Sequence, residues 1–434
     1  MGGAGVHRNL GTVRHLSAHG YDPVVITGPD RSAPRNRWEP ADPALLDRLP
    51  ANVSVHQVAT PEPTGEVSRL ARVVHVQPPL VRWWIDESVR LGLAVGRDAD
   101  VILASCAPYE TAFAGARLAR ELGVPWIADL EDPWALDEMR VPLTAAHARL
   151  DLRRMRAALA SASAIVMAAP EAAERVKRAM PELAARVTVT GIPIGYEPGD
   201  FEGVTRPEPD EVFRIVHTGS LHTDFGQHLR RTRRRRRILG GGTPGLDVLT
   251  RSHVFLVGAI ERVLRDAPAL AGRVELVLAG EATAADRAVS EGHAFVRHVG
   301  LLSHDESIAL LRAADLLFLP MHDLPLGVRA GLIPYKTYDY LGAGRPILAA
   351  VPDGDVRDML TGLENTTVVR PSDVDAMAAA LRARIAAAPE PDVAPPAQYA
   401  RRNSVERIAG VLDHVLADRS PGHSPIDVVH EVGT

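Results

Sequence analysis

The stretch "DLLFLPMHDLPLGVRAGLIPYKTYDYLGAGRPILAAVPDGD", residues 315–355, decides how this chain is read. "DLLFLP" is an apolar run of the kind that forms a strand buried on both faces of a parallel sheet. The loop after it carries Gly327 and Gly331, which permit close backbone approach. Pro334 suits a first helical position, so a short helix is predicted over 334–342. Gly342, Gly344 and Pro346 then make a tight exit into a second apolar run, "ILAAV". Strand, loop, helix and strand form a βαβ unit. Its loop sits at a carboxyl strand end, where ligands bind in open α/β sheets.

The chemistry of that loop centres on Lys336. The chain holds 49 Lys+Arg but only two lysines, Lys177 and Lys336. A lysine kept against such a bias supplies a compact ammonium that the planar arginine fork does not. Lys177 lies in an ordinary surface-helix pattern. Lys336 falls in the first turn of the 334–342 helix, where free amides near Tyr335 and Lys336 and the helix dipole favour an anion. Asp339 follows three residues later on the same face. It is placed to accept two ribose hydroxyl bonds beyond a diphosphate, or else to form a plain exposed pair with Lys336. "HTGSL", 217–221, ends another strand, and the amides of Gly219 and Ser220 offer a second phosphate element. Backbone around Val299, in "VRHVG", could pair with a nucleobase edge.

Outward from this unit, apolar runs alternate with helical patterns along the whole chain, the signature of α/β domains with parallel sheets. A length of 434 residues favours two cores. At "GIPIGYEPGDFEGVTRPEPDE" the pattern breaks, which places a linker at about 192–210. The expected organisation is two Rossmann-like domains facing a cleft: 1–200, then 201–395, a crossover helix at 396–418 and a tail at 419–434. Residues 29–50, rich in Pro and charge, read as a loop or lid. Ser303 and Glu306 form a capping box. Aromatic residues are 4% of the chain and the net charge is -5, which disfavours an aromatic-lined groove and a general polyanion binder. One cysteine, Cys106, excludes an intrachain disulfide framework and fits a cytoplasmic location. No apolar run reaches the roughly 18 residues that span a bilayer, and no metal-ligand cluster is visible.

With these motifs in place, the chain resembles the family-four retaining glycosyltransferases of GT-B fold. "IPYKTYDYLGAGRPILA" is similar to that family's acidic-residue segment ending in Gly-x-Pro, and Asp339 falls where its second acid holds the ribose. The first acid would fall at Gly331, where this sequence departs. "GGAGVHR" resembles the glycine loop opening the acceptor domain, "ADLEDPWAL" an Asp-x-x-Asp-Pro-Trp segment, and "GIPIGYEPGDF" the interdomain hinge. The resemblance implies an α/β fold with the last helix crossing back to the first domain. It implies transfer of a sugar from a nucleoside diphosphate to a hydroxyl acceptor with retention, without cofactor or metal. Lys336, Tyr335, Gly219, Ser220, Val299 and Asp339 would bind the donor. Gly3, Gly5, Arg8, Asp129, Asp132 and Trp134 would bind the acceptor, with Lys336 and Asp132 the catalytic candidates. Three histidines near the cleft, His217, His222 and His322, read as loop residues. A nucleotide-sugar epimerase or hydrolase, and a non-catalytic nucleotide-sugar-binding protein of this fold, are the alternatives.

Two features stand apart. The first is an arginine-rich insert at 228–245, with seven arginines between Arg230 and Arg237. It reads as a solvated, disordered segment, as an electrostatic foot for an anionic membrane or lipid-linked acceptor, or, least readily, as a nucleic-acid site, since no stacking aromatics are interleaved. The second is the opening "MGGAGVHR", a glycine turn with no strand before it. The expectation is a start upstream by about one strand of 5–6 residues.

Overall fold

The structure, a computed structural model, describes residues 4–29, 43–63, 78–208, 210–387 and 392–418. Gly3, most of the expected lid and the 419–434 tail lie outside the described residues.

The apolar runs form strands as read. In the first half they are β1 (Val24–Thr27), β2 (Ser54–Gln57), β3 (Ile102–Ser105), β4 (Trp126–Leu130), β5 (Ala164–Met167) and β6 (Thr188–Gly191). The second half adds β7 (Phe213–Thr218), β8 (Val274–Ala279), β9 (Val296–Gly300), β10 (Leu316–Pro320), β11 (Ile347–Ala350) and β12 (Thr366–Val369). All pair in parallel. The second half makes one six-stranded sheet, β12-β11-β10-β7-β8-β9. Every residue of β4, β5, β10 and β11 is buried, as helices on both faces of a parallel sheet require. The first half makes a four-stranded sheet, β3-β4-β5-β6, and a separate pair, β1-β2. Among the described residues no strand joins β1 to β3.

The helix Lys336–Ala343 begins two residues later than predicted, because Pro334 and Tyr335 form a tight turn before it. It is buried on most sides. Gly344, at φ 65°, caps its end in the left-handed region, and a Cβ on Gly342 would stand 2.3 Å from the Phe201 ring. The capping box of Ser303 and Glu306 is present.

The chain returns to the first domain as the crossover expectation required. Tyr196, in the outgoing linker, accepts from the Arg401 amide and donates to Tyr399 O, at 2.8 and 2.9 Å. The outgoing and returning segments are thus one hydrogen-bonded hinge. The helix Arg401–Ala417 buries Val405, Ile408, Leu412 and Val415 against Leu16, Ile127 and Val166 of the first domain. The Arg401 side chain passes so close to the first helix, Ala4–Leu16, that a Cβ on Gly11 would stand 1.9 Å from its Cδ.

The arginine run corrects the disordered reading. It forms the last turns of a helix, Thr223–Ile238. Arginine is a good helix former, and cations near a helix C-terminus complement its dipole.

Candidate functional site

The site forms where the carboxyl ends of β7, β8 and β10 meet the end of β4. Gly219 follows β7 at φ 91°, and a Cβ there would stand 3.1 Å from Lys336 Nζ. Its bareness is what lets the ammonium reach the strand end. The Gly219 amide donates to Ala279 O at 2.7 Å, so Gly219 contributes space rather than the free amide expected of it. Ser220 is exposed at the mouth. Gly280, at φ 135°, closes the adjacent strand end, where a Cβ would meet Gly219 O at 2.8 Å.

Lys336 Nζ donates to His217 Nε2 at 3.0 Å, and His217 Nδ1–H donates to Phe318 O at 3.0 Å. That chain fixes the tautomer of a neutral imidazole. Burial and then Lys336 push the His217 pKa well down. Burial and then the charge of Arg251 push Lys336 well below the usual lysine range. Burial and Arg251 also hold His222 at about 3. His217 lies in strand β7, so its loop reading is corrected, while His322 lies in the loop after β10 as expected, fully buried there.

Arg251 is a further candidate for the site that sequence reasoning missed. It follows the short helical turn Val248–Thr250, and its carbonyl accepts from the His222 amide at 3.1 Å. Its guanidinium forms no ion pair among the described residues. It feels Asp132, Asp137 and Glu138 across the cleft, and burial lowers its pKa. Two cations, Lys336 and Arg251, thus face one glycine-lined strand end. Arg251 disfavours a charge on Lys336, a situation a bound polyanion relieves.

The other donor candidates divide. Val299 lies in β9, half-buried against the core, with the Gly280 amide donating to Gly300 O beside it. Tyr335 turns toward the first domain. Its ring stacks on His7 at 4.6 Å, and its hydroxyl accepts from Arg401 at 3.0 Å. Asp339 sits beside it, within the fields of His304 and Arg401 and accepting from the Tyr335 hydroxyl. Burial, the largest influence, lifts its pKa to about 6. It forms no ion pair with Lys336 among the described residues, so the exposed-pair reading does not hold.

Of the acceptor candidates, Arg8 and Asp129 are corrected. They bind each other in a buried pair, 2.7 Å at closest, and Arg8 also donates to Ile192 O. Both charges hold the first helix to β4 and are withdrawn from the cleft. Trp134 is corrected too: it is buried, stacked on Tyr109 at 5.1 Å. Asp132 is exposed on the cleft side. Glu131, unassigned by sequence reasoning, stands beside Gly5, where a Cβ would come 2.6 Å from its Oε1. That oxygen is buried without a hydrogen-bond partner, and burial lifts the carboxyl to about 7 against the pull of Arg8.

Gly331 is explained by its neighbours. Its amide donates to Glu138 Oε1 at 3.0 Å, as does His322 Nε2, and Arg175 pairs with the same carboxylate. A Cβ on Gly331 would stand 2.7 Å from Arg175 Cζ. An acidic side chain at 331 would require the Arg175 guanidinium to move from its place against Glu138. Among the described residues no group of three or more His, Cys, Asp or Glu side chains is placed to hold a metal ion.

Glu131 yields a stability prediction. Its pKa rises from 4.5 to about 7 on folding. Below pH 4.5 both states are protonated; between there and about pH 7 the unfolded chain releases the proton while the folded one holds it, so stability falls as pH rises. Glu131→Gln is therefore expected to stabilise the protein by about 1–3 kcal/mol above about pH 7, with the gain vanishing in acid. Urea unfolding across this range checks it, and a pH-independent difference would contradict it.

Comparison with known proteins bears on this geometry. Residues 249–386 match the family model described as glycosyl transferases group 1. No curated protein sequence matches the chain. Among solved structures, HepE (Alr3699) of Anabaena in complex with UDP and glucose is similar over 96% of each chain, at 14% identity and TM-score 0.53. Sucrose-phosphate synthase of Thermosynechococcus elongatus is similar over 94% of this chain and 89% of its own, at 15% identity and TM-score 0.54. A UDP-forming trehalose-phosphate synthase of Burkholderia xenovorans is similar over 82% and 80%, at 16% identity and TM-score 0.52. The chain has the GT-B fold. In a GT-B fold the two sheets face a shared cleft, and Lys336, Arg251 and Gly219 stand on one side of it with Asp132 on the other. The family match covers Arg251, Val299, Lys336 and Asp339 and stops short of the first domain.

Proposed function

We propose that the protein is a retaining glycosyltransferase that moves a sugar from a nucleoside-diphosphate sugar to a hydroxyl acceptor. The observation that carries this reading is the site of Lys336 and Arg251, neither in an ion pair among the described residues, over the bare strand end at Gly219 and Gly280. The binding of UDP by HepE in the same fold supports it.

In the proposed reaction the bond from the anomeric carbon to the diphosphate oxygen breaks. A bond to the acceptor oxygen forms on the same face, and the acceptor proton passes to the departing phosphate oxygen. No strong protein base is required. The protein positions the reactants and stabilises developing charge. Lys336, Arg251 and the helix amides at Tyr335 and Lys336 take the diphosphate. A local diphosphate raises the Lys336 pKa again, so the ammonium is charged when the donor is bound. Asp339 is the ribose acceptor. Asp132 and Glu131 accept from acceptor hydroxyls beside Gly5. Two fixed cations and a helix end supply the charge that a metal ion supplies elsewhere, so turnover is expected to persist in chelator.

The test is release of nucleoside diphosphate from a panel of UDP- and GDP-sugars, with and without mono- and disaccharide acceptors. The reading predicts acceptor-dependent release and a product of unchanged anomeric configuration by NMR. Donor turnover indifferent to every acceptor would favour an epimerase or hydrolase and overturn it.

A further inference from the structure

The helix Thr223–Ile238 carries a face that the cleft does not use. Residues 231, 234, 235 and 238 share one side of it by their three- and four-residue spacing. They are Arg231, Arg234, Arg235 and Ile238, all exposed, with Ile238 at 78%. The opposite side is anchored. Arg236 donates to Thr232 Oγ1 and to the carbonyls of Val141 and Pro142, and Arg230 pairs with Asp247. The other five arginines of the run form no ion pair among the described residues. Like charges one turn apart destabilise a helix, so this face holds unrelieved repulsion.

The same end of the helix docks on the first domain. Ala145 donates to Leu239 O at 3.3 Å, and a Cβ on Gly241 would stand 2.5 Å from Leu143 O. Leu239 is exposed next to Ile238 in the chain, and Leu143 is exposed in the segment that Gly241 meets. Arg149, also exposed, lies one turn beyond Ala145 in the helix Ala145–Leu159. Exposed aliphatic side chains therefore sit within an arginine field that spans both domains. Just behind it the exit loop touches the cleft segment, with Thr243 Oγ1 donating to Glu138 O.

We propose that this face docks on an anionic lipid surface, the arginines meeting headgroup phosphates and Ile238 and Leu239 entering the interface. Charge complementarity selects the partner: the chain is -5 overall, and without the seven arginines of the run it would be -12, so this patch is a concentrated positive area on an otherwise acidic chain. A basic cluster flanked by exposed aliphatics is the chemistry of a monotopic membrane contact. A nucleic-acid partner would call for stacking aromatics, and this face has none among its described residues.

Flotation of the full chain with phosphatidylcholine vesicles, with and without phosphatidylglycerol, tests the assignment. Binding is expected to the anionic vesicles alone and to be lost in high salt. The triple variant Arg231→Gln, Arg234→Gln, Arg235→Gln keeps good helix formers and should weaken binding about a hundredfold. Ile238→Ser should weaken it about tenfold. Neither should lower the thermal midpoint, and both should leave nucleotide binding unchanged. Equal binding to neutral vesicles, no vesicle binding at all, undiminished binding by the triple variant, or preference for single-stranded RNA over anionic vesicles would each overturn the proposal.

Discussion

Lys336→Ala is expected to fold as the native chain does and to lose about 10²–10³-fold in kcat/KM for the nucleotide sugar, the usual scale for removing one preorganised charge-stabilising donor. Folding should be spared because the unliganded ammonium is held against burial and the repulsion of Arg251. Its only hydrogen-bond partner among the described residues is His217, which stays anchored to Phe318 O without it. Removing Lys336 therefore relieves repulsion in the free protein and forfeits charge only in the complex. Arg251→Ala should behave in parallel, and the double variant should fall short of the summed losses if both groups grip one diphosphate. Steady-state kinetics beside urea unfolding separate the two effects. Native turnover in Lys336→Ala would remove the lysine from the mechanism.

The second large effect concerns stability. Arg8→Ala is expected to destabilise the protein by about 3–5 kcal/mol, because it leaves the Asp129 carboxylate buried and uncompensated. Asp129→Ala should cost a similar amount by stranding the guanidinium. Replacing both by apolar residues, Arg8→Met with Asp129→Leu, should recover much of the loss. Chemical denaturation of the three variants gives the comparison. This separates a structural pair from an acceptor contact. If Arg8 bound an acceptor phosphate, its removal would raise the acceptor KM and leave unfolding almost unmoved.

What could be read in the sequence was what is local. Strands such as "DLLFLP" and "SAIVMAA" are uniform apolar runs because both faces of a parallel strand are buried, and the structure forms them within a residue or two. The Ser303 cap, the tight exit at Gly342 and Gly344, and the place of Lys336 near the start of a short packed helix were legible for the same reason. Contacts between distant segments were not. Arg8 and Asp129 lie 121 residues apart, and Gly331 and Glu138 lie 193 apart. No spacing rule reveals that two such charges will cancel or that a carboxylate will reach a glycine amide. Arg251 was hidden differently. In a chain where nearly every cation is arginine, its residue type carries no signal, and only its missing partner marks it out. Trp134 was misassigned because the turn after Asp132 sends its ring inward onto Tyr109. A charge run commonly marks a solvated, disordered segment, and nothing local in the arginine run distinguishes it from such a segment. Its helix is set by its anchor at Thr232 and Val141 and by the intrinsic propensity of arginine.

Calorimetric titration of UDP and GDP into the native chain and into Lys336→Ala tests the central claim most directly, with uridine and guanosine as controls. The account predicts that one diphosphate binds the native chain, that its nucleoside binds far more weakly, and that Lys336→Ala loses most of the difference between them. Binding of neither diphosphate, or binding that Lys336→Ala leaves untouched, would contradict it.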